Sequence, residues 1–383
     1  MPGDRSRLGQ ASVWRATVFQ PEGEAANKRF TSNAKCFSLR RNAASKGPLL
    51  ATLAEIAKRA GVSPAVVSRV INKDATLRIA KETRARVEAV VREMDYAPNV
   101  AAQSLRSARS GTVAVVLHDI ANPVYGEILR GAQEEAERRD KAILLGDAAV
   151  GGASGSRLAR MIGGGGVDGL ILQASGTRTD ALIVQAARQE VPVVLLQARL
   201  EGDAHLILLP DAQAAAVATA HLRQLGHRRI GCLATEPGLT FTEDRMRGWR
   251  QEMGGDADEA CVTHSGPTAA EGEAAARDLL SRHPDLTGLV CFNAVAAVGA
   301  LRAARALGRN VPEDLSVIAI HDLKFAGDLR VPLTVVRMPL AEMGRASIRT
   351  ICDPSHARAT THRITTRPEL VIRASAAAPP RPG

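Results

Sequence analysis

The sequence predicts a multidomain chain, an all-α N-terminal bundle followed by an α/β region whose parallel sheets form two lobes. Three observations lead there. The stretch Thr52 to Asn72 carries two short runs of apolar residues at helical spacing, parted by a glycine. From Thr112 onward, short β-branched or Leu-rich runs alternate with helical stretches, the signature of parallel sheets covered on both faces. Positive charge is also uneven: residues 1–110 hold 20 Lys+Arg against 9 Asp+Glu, whereas the remaining 273 hold 30 against 31. That asymmetry is expected where only the N-terminal third meets phosphate.

In the first run Leu53, Ile56, Ala57 and Ala60 fall at i, i+3, i+4, i+7, with Glu55, Lys58 and Arg59 on the other face. Gly61 breaks the pattern. Ser63 is placed to cap a second helix through its hydroxyl, and Pro64 suits the first helical position, where its missing N–H costs nothing. There Val67, Val70 and Ile71 make the packing stripe, while Ala65, Ser68, Arg69 and Asn72 lie nearly opposite. Two short helices about a glycine turn, the second presenting hydroxyl and guanidinium groups outward, make a helix-turn-helix that offers a helix to the DNA major groove. An ordinary helical hairpin in a core is the alternative on pattern alone.

After the linker Lys73 to Lys81, a third helix repeats the stripe with Val87, Val90, Val91 and Met94. Tyr96-Ala97-Pro98-Asn99 ends the bundle, since the residue before a proline disfavours helix, and Asn99 can cap one more short helical segment over 100–107. Ser107 to Gly111 reads as a boundary. Beyond it the predicted strands are Val113–Leu117, Ile143–Leu145, Leu170–Leu172, Val193–Leu196, Ile230–Leu233, Leu289–Phe292 and Val317–Ile320. The predicted helices between them include Tyr125–Arg139, Ala212–Leu225, Asp244–Met253, Thr268–Ser281 and Ala294–Leu307. About ten strands suit two lobes better than one, and ligands in such folds sit at the carboxyl ends of strands, often between lobes.

Apolar residues are 45% of the 383, enough for sizeable cores, which excludes a wholly disordered protein. Aromatics are only 3%, which argues against recognition by extensive base stacking. Cys36, Cys232, Cys261, Cys291 and Cys352 are scattered with no C-x-x-C pair, as in a reduced, cytoplasmic chain. No apolar run approaches the roughly 20 residues of a membrane helix, and no signal-peptide core is visible. Residues 1–50, with nine basic and three acidic residues and no sustained periodicity, read as a disordered basic extension, or as sequence upstream of a later translation start. Gly164, Gly166 and Gly169 spell G-x-G-x-x-G, but the strand Leu170–Leu172 follows these glycines instead of preceding them, so no nucleotide cofactor is predicted. His221 and His227 have poor metal spacing, and no nucleophile elbow or Ser, His and acid trio stands out. No metal, cofactor or catalytic activity is expected.

The runs TLAEIAKRAGVSPAVVSRVIN, ETRARVEAVVREMDYAPNVAAQSLRSARSGTVAVV and DIANPVYGEILRGAQEEA resemble the lactose-repressor (LacI/GalR) family of bacterial transcription regulators. LRQLGHRRIG, RMRGW, VPEDLSVIAIHD and VPLTVVRMPLAEMG extend the resemblance over residues 52–375. It implies a homodimer or tetramer on a pseudopalindromic operator, with a two-lobed, periplasmic-binding-protein-like effector domain of Rossmann-like parallel sheets. Ser63, Pro64, Ala65, Val66, Ser68, Arg69 and Asn72 then belong to the major-groove helix, Ala65 at a base-choosing position and Arg69 within reach of guanine edges or phosphate. Val66 departs from the family's common Thr, exchanging a polar contact for a methyl surface suited to thymine. Ala80 departs from a usual Ser and removes a cap from the third helix. The segment Asn99 to Ser107 resembles the hinge helix that folds in the minor groove, with Leu105 as a wedge into a central base step and Ala102 beside it.

The resemblance places effector contacts at Tyr125, Asp211, Arg245 of the R-x-x-G-W motif, Asn293 and His321. A guanidinium at 245 can grip a carboxylate, a phosphate or a pair of hydroxyls bidentately; its alternative role is a surface salt bridge with Glu243 or another acid. Asn293 can donate to and accept from hydroxyls, or serve only as a helix cap. His321-Asp322 stands where many relatives have Asp-Asp, so imidazole replaces a hydroxyl-accepting carboxylate and offers a pH-dependent response. Val124 replaces the usual first aromatic of the NP-aromatic-aromatic run, and Thr263 to Thr268 offers no ring for stacking. These departures weaken a sugar assignment and leave the ligand class open.

The expected organisation is a basic extension over 1–50, a helix-turn-helix domain over 51–98, a hinge helix and linker over 99–110, a two-lobed effector-binding and dimerisation domain over 111–375, and a disordered tail over 376–383. The expected function is sequence-specific binding of double-stranded DNA by a homodimer, as a repressor, with operator affinity altered when a small molecule such as a sugar or related metabolite closes the lobes. No leucine heptad follows Arg373, which favours a dimer over a tetramer. No membrane partner is expected. The alternatives are a small-molecule or sugar-binding protein whose N-terminal helices serve assembly, and a DNA-coating protein held by charge.

Overall fold

The computed structural model describes residues 52–72, 74, 76–96, 109–148, 153–173, 178–188, 191–198, 204–353 and 359–380. The extension 1–50 and the hinge segment with Asn99, Ala102 and Leu105 lie outside them. The chain divides into two compact units, Met1–Ala97 and Pro98–Gly383.

In the first unit, α1 (Leu53–Ala60) opens with a capping box in which Glu55 N donates to Thr52 Oγ1 at 3.3 Å and Thr52 N donates to Glu55 Oε2 at 2.7 Å. Gly61 closes it at φ 67, left-handed backbone that glycine adopts without strain. Ser63 Oγ then accepts from Val66 N at 3.4 Å and Pro64 takes the first position of α2 (Pro64–Ile71). The third helix, α3 (Lys81–Glu93), has Ala80 before it and no side-chain cap. Ile56, Ala57, Ala60, Val67, Val70, Leu77, Val87 and Val90 are the buried core, with Val66 and Ile71 packed against it. Each apolar stripe read from the sequence points inward.

The second unit holds two sheets. β1 (Thr112–Leu117), β2 (Ala142–Asp147), β3 (Gly169–Gln173), β4 (Val193–Leu196), β5 (His205–Leu208) and β11 (Thr361–Arg363) lie in the order β11-β5-β4-β3-β1-β2, all parallel. β6 (Ile230–Ala234), β7 (Val262–His264), β8 (Gly288–Cys291), β9 (Ser316–Ile320), β10 (Thr334–Arg337) and β12 (Glu369–Val371) lie in the order β12-β10-β9-β8-β6-β7, parallel except for the β10–β12 edge. In each sheet the chain steps to one side of its first strand and then returns to the other, so crevices open at the carboxyl ends between β1 and β3 and between β6 and β8.

Helices α4 (Tyr125–Arg138), α5 (Ala153–Met161) and α6 (Arg178–Arg188) connect the first lobe, and α7 (Asp211–Gln224), α8 (Thr240–Met253), α9 (Ala269–Arg282) and α10 (Ala294–Ala306) the second. The last helix, α11 (Leu340–Cys352), returns to pack on α4, and the chain therefore passes between lobes at 209–210, 338–339 and 364–368. The α4–α11 seam is backbone-close: a Cβ on Gly131 would lie 1.9 Å from Ala341 O, and one on Gly344 would lie 2.1 Å from Ile128 O. Only glycine fits at either position.

Asp168, between α5 and β3, anchors the residues that lead into β1. Its carboxylate accepts from Ser110 N at 2.6 Å, Gly111 N at 3.0 Å and Lys141 Nζ at 2.7 Å. The tail also differs from expectation. Ala377 O accepts from His227 Nε2 at 2.8 Å and Ala377 N donates to Ser316 Oγ at 3.0 Å, so a segment expected to be disordered from 376 is held against β9 through Ala377.

Candidate functional site

The outward side of α2 carries Ser63, Pro64, Ala65, Arg69 and Asn72 exposed, with Ser68 half-buried. Val66 is only half on this side, because its methyls also pack against the core. Asn72 Nδ2 turns back to Ser68 O at 2.7 Å and ends the helix. Arg69 is not a free guanidinium. Its Nε donates to Asp74 Oδ2 at 2.7 Å and its Nη2 to Thr76 Oγ1 at 2.9 Å, and the Arg69 bond, with those from the Thr76 hydroxyl and backbone N–H, holds the Asp74 carboxyl down to about 2. The pair is exposed, and exposed pairs are weak enough for a DNA phosphate to compete.

Between the lobes lies a cavity of about 370 Å³, lined at one side by the ends of β1, β3 and β4 and at the other by the ends of β6, β7, β8 and β9. Of the residues singled out in the sequence, Tyr125, Arg245, Asn293 and His321 line it. Asp211 does not. It is buried behind Arg245, whose Nε donates to Asp211 Oδ1 at 2.8 Å and whose Nη2 lies 2.7 Å from the same oxygen. Gln197 Nε2 holds the other carboxylate oxygen at 2.8 Å. Burial raises the pKa of the Asp211 carboxyl and the guanidinium offsets only part of that rise; with the cation in direct contact, the carboxylate is the form that completes the pair. The expected effector contact is therefore a support for another residue.

Arg245, 2% exposed, is also not a surface cation. Its Nη1 donates to Phe292 O, its Nη2 donates to His321 Nε2 at 3.0 Å, and its guanidinium stands over the Phe241 ring at 5.1 Å. Three of its five N–H groups donate inside the protein and Nη2 also lies against Asp211, so the guanidinium is largely committed to the protein itself. The sequence-level expectation of a free guanidinium grip is corrected accordingly.

His321 follows β9 in left-handed backbone, φ 79, a costly conformation for a residue with a Cβ. Burial, aided by Arg245, holds its pKa well below the ordinary value. A neutral ring whose Nε2 accepts from Arg245 carries its proton on Nδ1, and that atom is buried without a partner among the described residues. The pH-sensing role expected of it fails, because the cationic form is disfavoured throughout the neutral range. Asn293 caps α10, its Oδ1 accepting from Val295 N at 2.7 Å and Ala296 N at 3.3 Å, while its remaining amide N–H groups belong to a residue of the cavity wall. Tyr125 OH donates to Gln173 Oε1 at 3.1 Å, and burial raises its pKa to about 12, so it stays a donor.

Sequence reasoning missed Gln173, Gln197, Phe241 and Ser265, all on the cavity wall. Ser265 Oγ, like His321 Nδ1, is buried with no hydrogen-bond partner. Gln173 ends β3, and the rule that parallel sheets bind at their carboxyl ends would have flagged it.

Comparison with known proteins agrees with this architecture. A family model described as "Bacterial regulatory proteins, lacI family" matches residues 52–99, and one described as "Periplasmic binding protein-like domain" matches residues 219–376. The chain is 32% identical over 333 residues to the transcriptional regulator DegA of Bacillus subtilis, covering 85% of this chain and 97% of DegA. It is 32% identical over 341 residues to the regulator MalR of Streptomyces coelicolor, covering 86% and 97%. Among solved structures, a complex of the transcriptional regulator CelR with cellobiose superposes with TM-score 0.64 at 28% identity, over 85% of this chain and 99% of that one.

Proposed function

The chain belongs to the lacI family of bacterial regulatory proteins, and from that footing we propose that it binds a two-fold symmetric operator as a homodimer and represses transcription under control of a small molecule held between its lobes. The observation that carries the effector role is the pair of buried, unpartnered polar atoms, Ser265 Oγ and His321 Nδ1, on the wall of one interlobe cavity. Leaving such groups unpaired costs about 1–3 kcal/mol each, and a ligand that supplies partners recovers that cost on binding. CelR, which resembles this chain at 28% identity, was solved with cellobiose, so a sugar or sugar-like metabolite is the natural first class to test.

Ser63, Pro64, Ala65, Val66, Ser68, Arg69 and Asn72 form the DNA-reading face in this account, with Asn99, Ala102 and Leu105 at the hinge, Leu105 as the minor-groove wedge. Tyr125, Arg245, Asn293 and His321 contact the effector, and Asp211 positions Arg245. A ligand touching both lobes favours their closed arrangement, and closure changes operator affinity by the factor by which operator changes ligand affinity. Titrating an operator with the full chain, with and without each candidate metabolite, tests this. An effector that shifts operator affinity several-fold in wild type and not in Ser265→Ala supports it; a ligand that binds without any shift contradicts it.

A further inference from the structure

The cavity wall is rich in donors and poor in available positive charge. Asn293 spends its amide oxygen on the α10 cap, Gln173 spends its own on Tyr125, and His321 spends Nε2 on Arg245. Each has an N–H group left, Nδ2 of Asn293, Nε2 of Gln173 and Nδ1 of His321, while Gln197, its Nε2 spent on Asp211, presents an acceptor oxygen. The three donor residues end strands of both lobes, β8, β3 and β9, so a bound molecule meets donors from either side.

Charge points to the same kind of ligand. Among the described residues no lysine lines the cavity, and Arg245 is paired with Asp211 with three of its N–H groups donating inside the protein. The other ionisable residues of the wall are His118, tied to Asp180 at 2.8 Å, and the acids Asp119 and Glu236, which have no ion pair among the described residues. A phosphate or carboxylate entering here would lose its water and meet two acids and no uncommitted cation.

We infer that the effector is an uncharged molecule recognised through its hydrogen-bond acceptors, by carbonyl, ring-nitrogen, ether or hydroxyl lone pairs, and that phosphorylated and carboxylated metabolites are rejected. This rests on the reading of the cavity as the effector site. His321 is the decisive position, since it donates where a carboxylate would accept.

Calorimetric titration and melting curves of the full chain with matched pairs test the inference: glucose against glucuronate, ribose against ribose 5-phosphate, uridine against uridine 5′-monophosphate. At least one uncharged member is expected to bind and raise the midpoint, its charged twin binding at least tenfold more weakly. His321→Asp, which exchanges the donor for an acceptor, and Ser265→Ala are each expected to weaken that binding, the first tenfold or more, with the unliganded melting curve reporting that the variant folds. A charged twin that binds as tightly as its partner overturns the inference and leaves the effector site standing. If none of the six binds and mass spectrometry finds nothing retained from a metabolite extract, the effector site itself fails, and the inference with it.

Discussion

Arg245 Nη2 donates to His321 Nε2 across 3.0 Å, and that one bond sets the chemistry of the cavity wall. It fixes the imidazole proton on Nδ1 and, with burial, keeps the ring neutral. The two residues lie 76 positions apart, on α8 and at the end of β9.

His321 has a folded pKa below its unfolded value of about 6.5, so above that pH the group contributes nothing to stability, and below it the unfolded chain takes up a proton that the folded protein refuses. His227, also lowered by burial, acts in the same direction. Urea midpoints are expected to hold from pH 8 to 6.5 and fall toward pH 5, and His321→Gln should flatten part of the fall. Effector affinity should be level between pH 6.5 and 8.

Asp211→Ala leaves a buried guanidinium without its counter-ion. Losses of about 3–5 kcal/mol are usual for that change, so the urea midpoint of the effector unit should drop steeply. A loss below about 1 kcal/mol would mean that Arg245 does not depend on Asp211, whatever the distance between them.

Asp168 fixes Ser110 and Gly111 at the start of β1. Asp168→Asn keeps the shape and weakens the charge-assisted bonds. Effector affinity is expected to stay within twofold of wild type while the effector's influence on operator affinity shrinks, measured as DNA binding with saturating and with no effector. An undiminished response would show that the anchor does not transmit.

Arg69 pairs with Asp74 at the exposed side of α2. Asp74→Asn is expected to raise affinity for all duplexes and steepen the salt dependence, because one more cation is released to phosphate. Arg69→Ala should remove sequence preference and leave effector binding intact. Filter binding on cognate and scrambled duplexes across a salt series separates the two outcomes.

The bundle was legible in the sequence because its helices obey local rules: apolar spacing in α1, α2 and α3, Gly61 as a stop, Ser63 and Pro64 as a start. Seven strands, β1 to β4, β6, β8 and β9, were legible as β-branched or Leu-rich runs, whereas β5 and β10, interior strands of four residues each, were not among those predicted. β7, β11 and β12, each of three residues, were not, since short polar edge segments carry little pattern. α11 was not among the helices predicted, although Leu340, Met343, Gly344, Ser347, Ile348 and Ile351 repeat at helical spacing; Pro339 stands at its start and Gly344 lets it touch α4. At the site, four of five expected effector positions reached the cavity wall, and Asp211 did not. Its pairing with Arg245 spans 34 residues and depends on which lobe face each element covers, which no local spacing records.

Selection of bound duplexes from a randomised DNA pool by the full chain at near-physiological salt, run with and without a metabolite extract, tests sequence-specific recognition by a dimer through α2. Enrichment of a palindrome with two half-sites and a fixed centre is expected in at least one arm. Recovery of duplexes with no motif in either arm would contradict it.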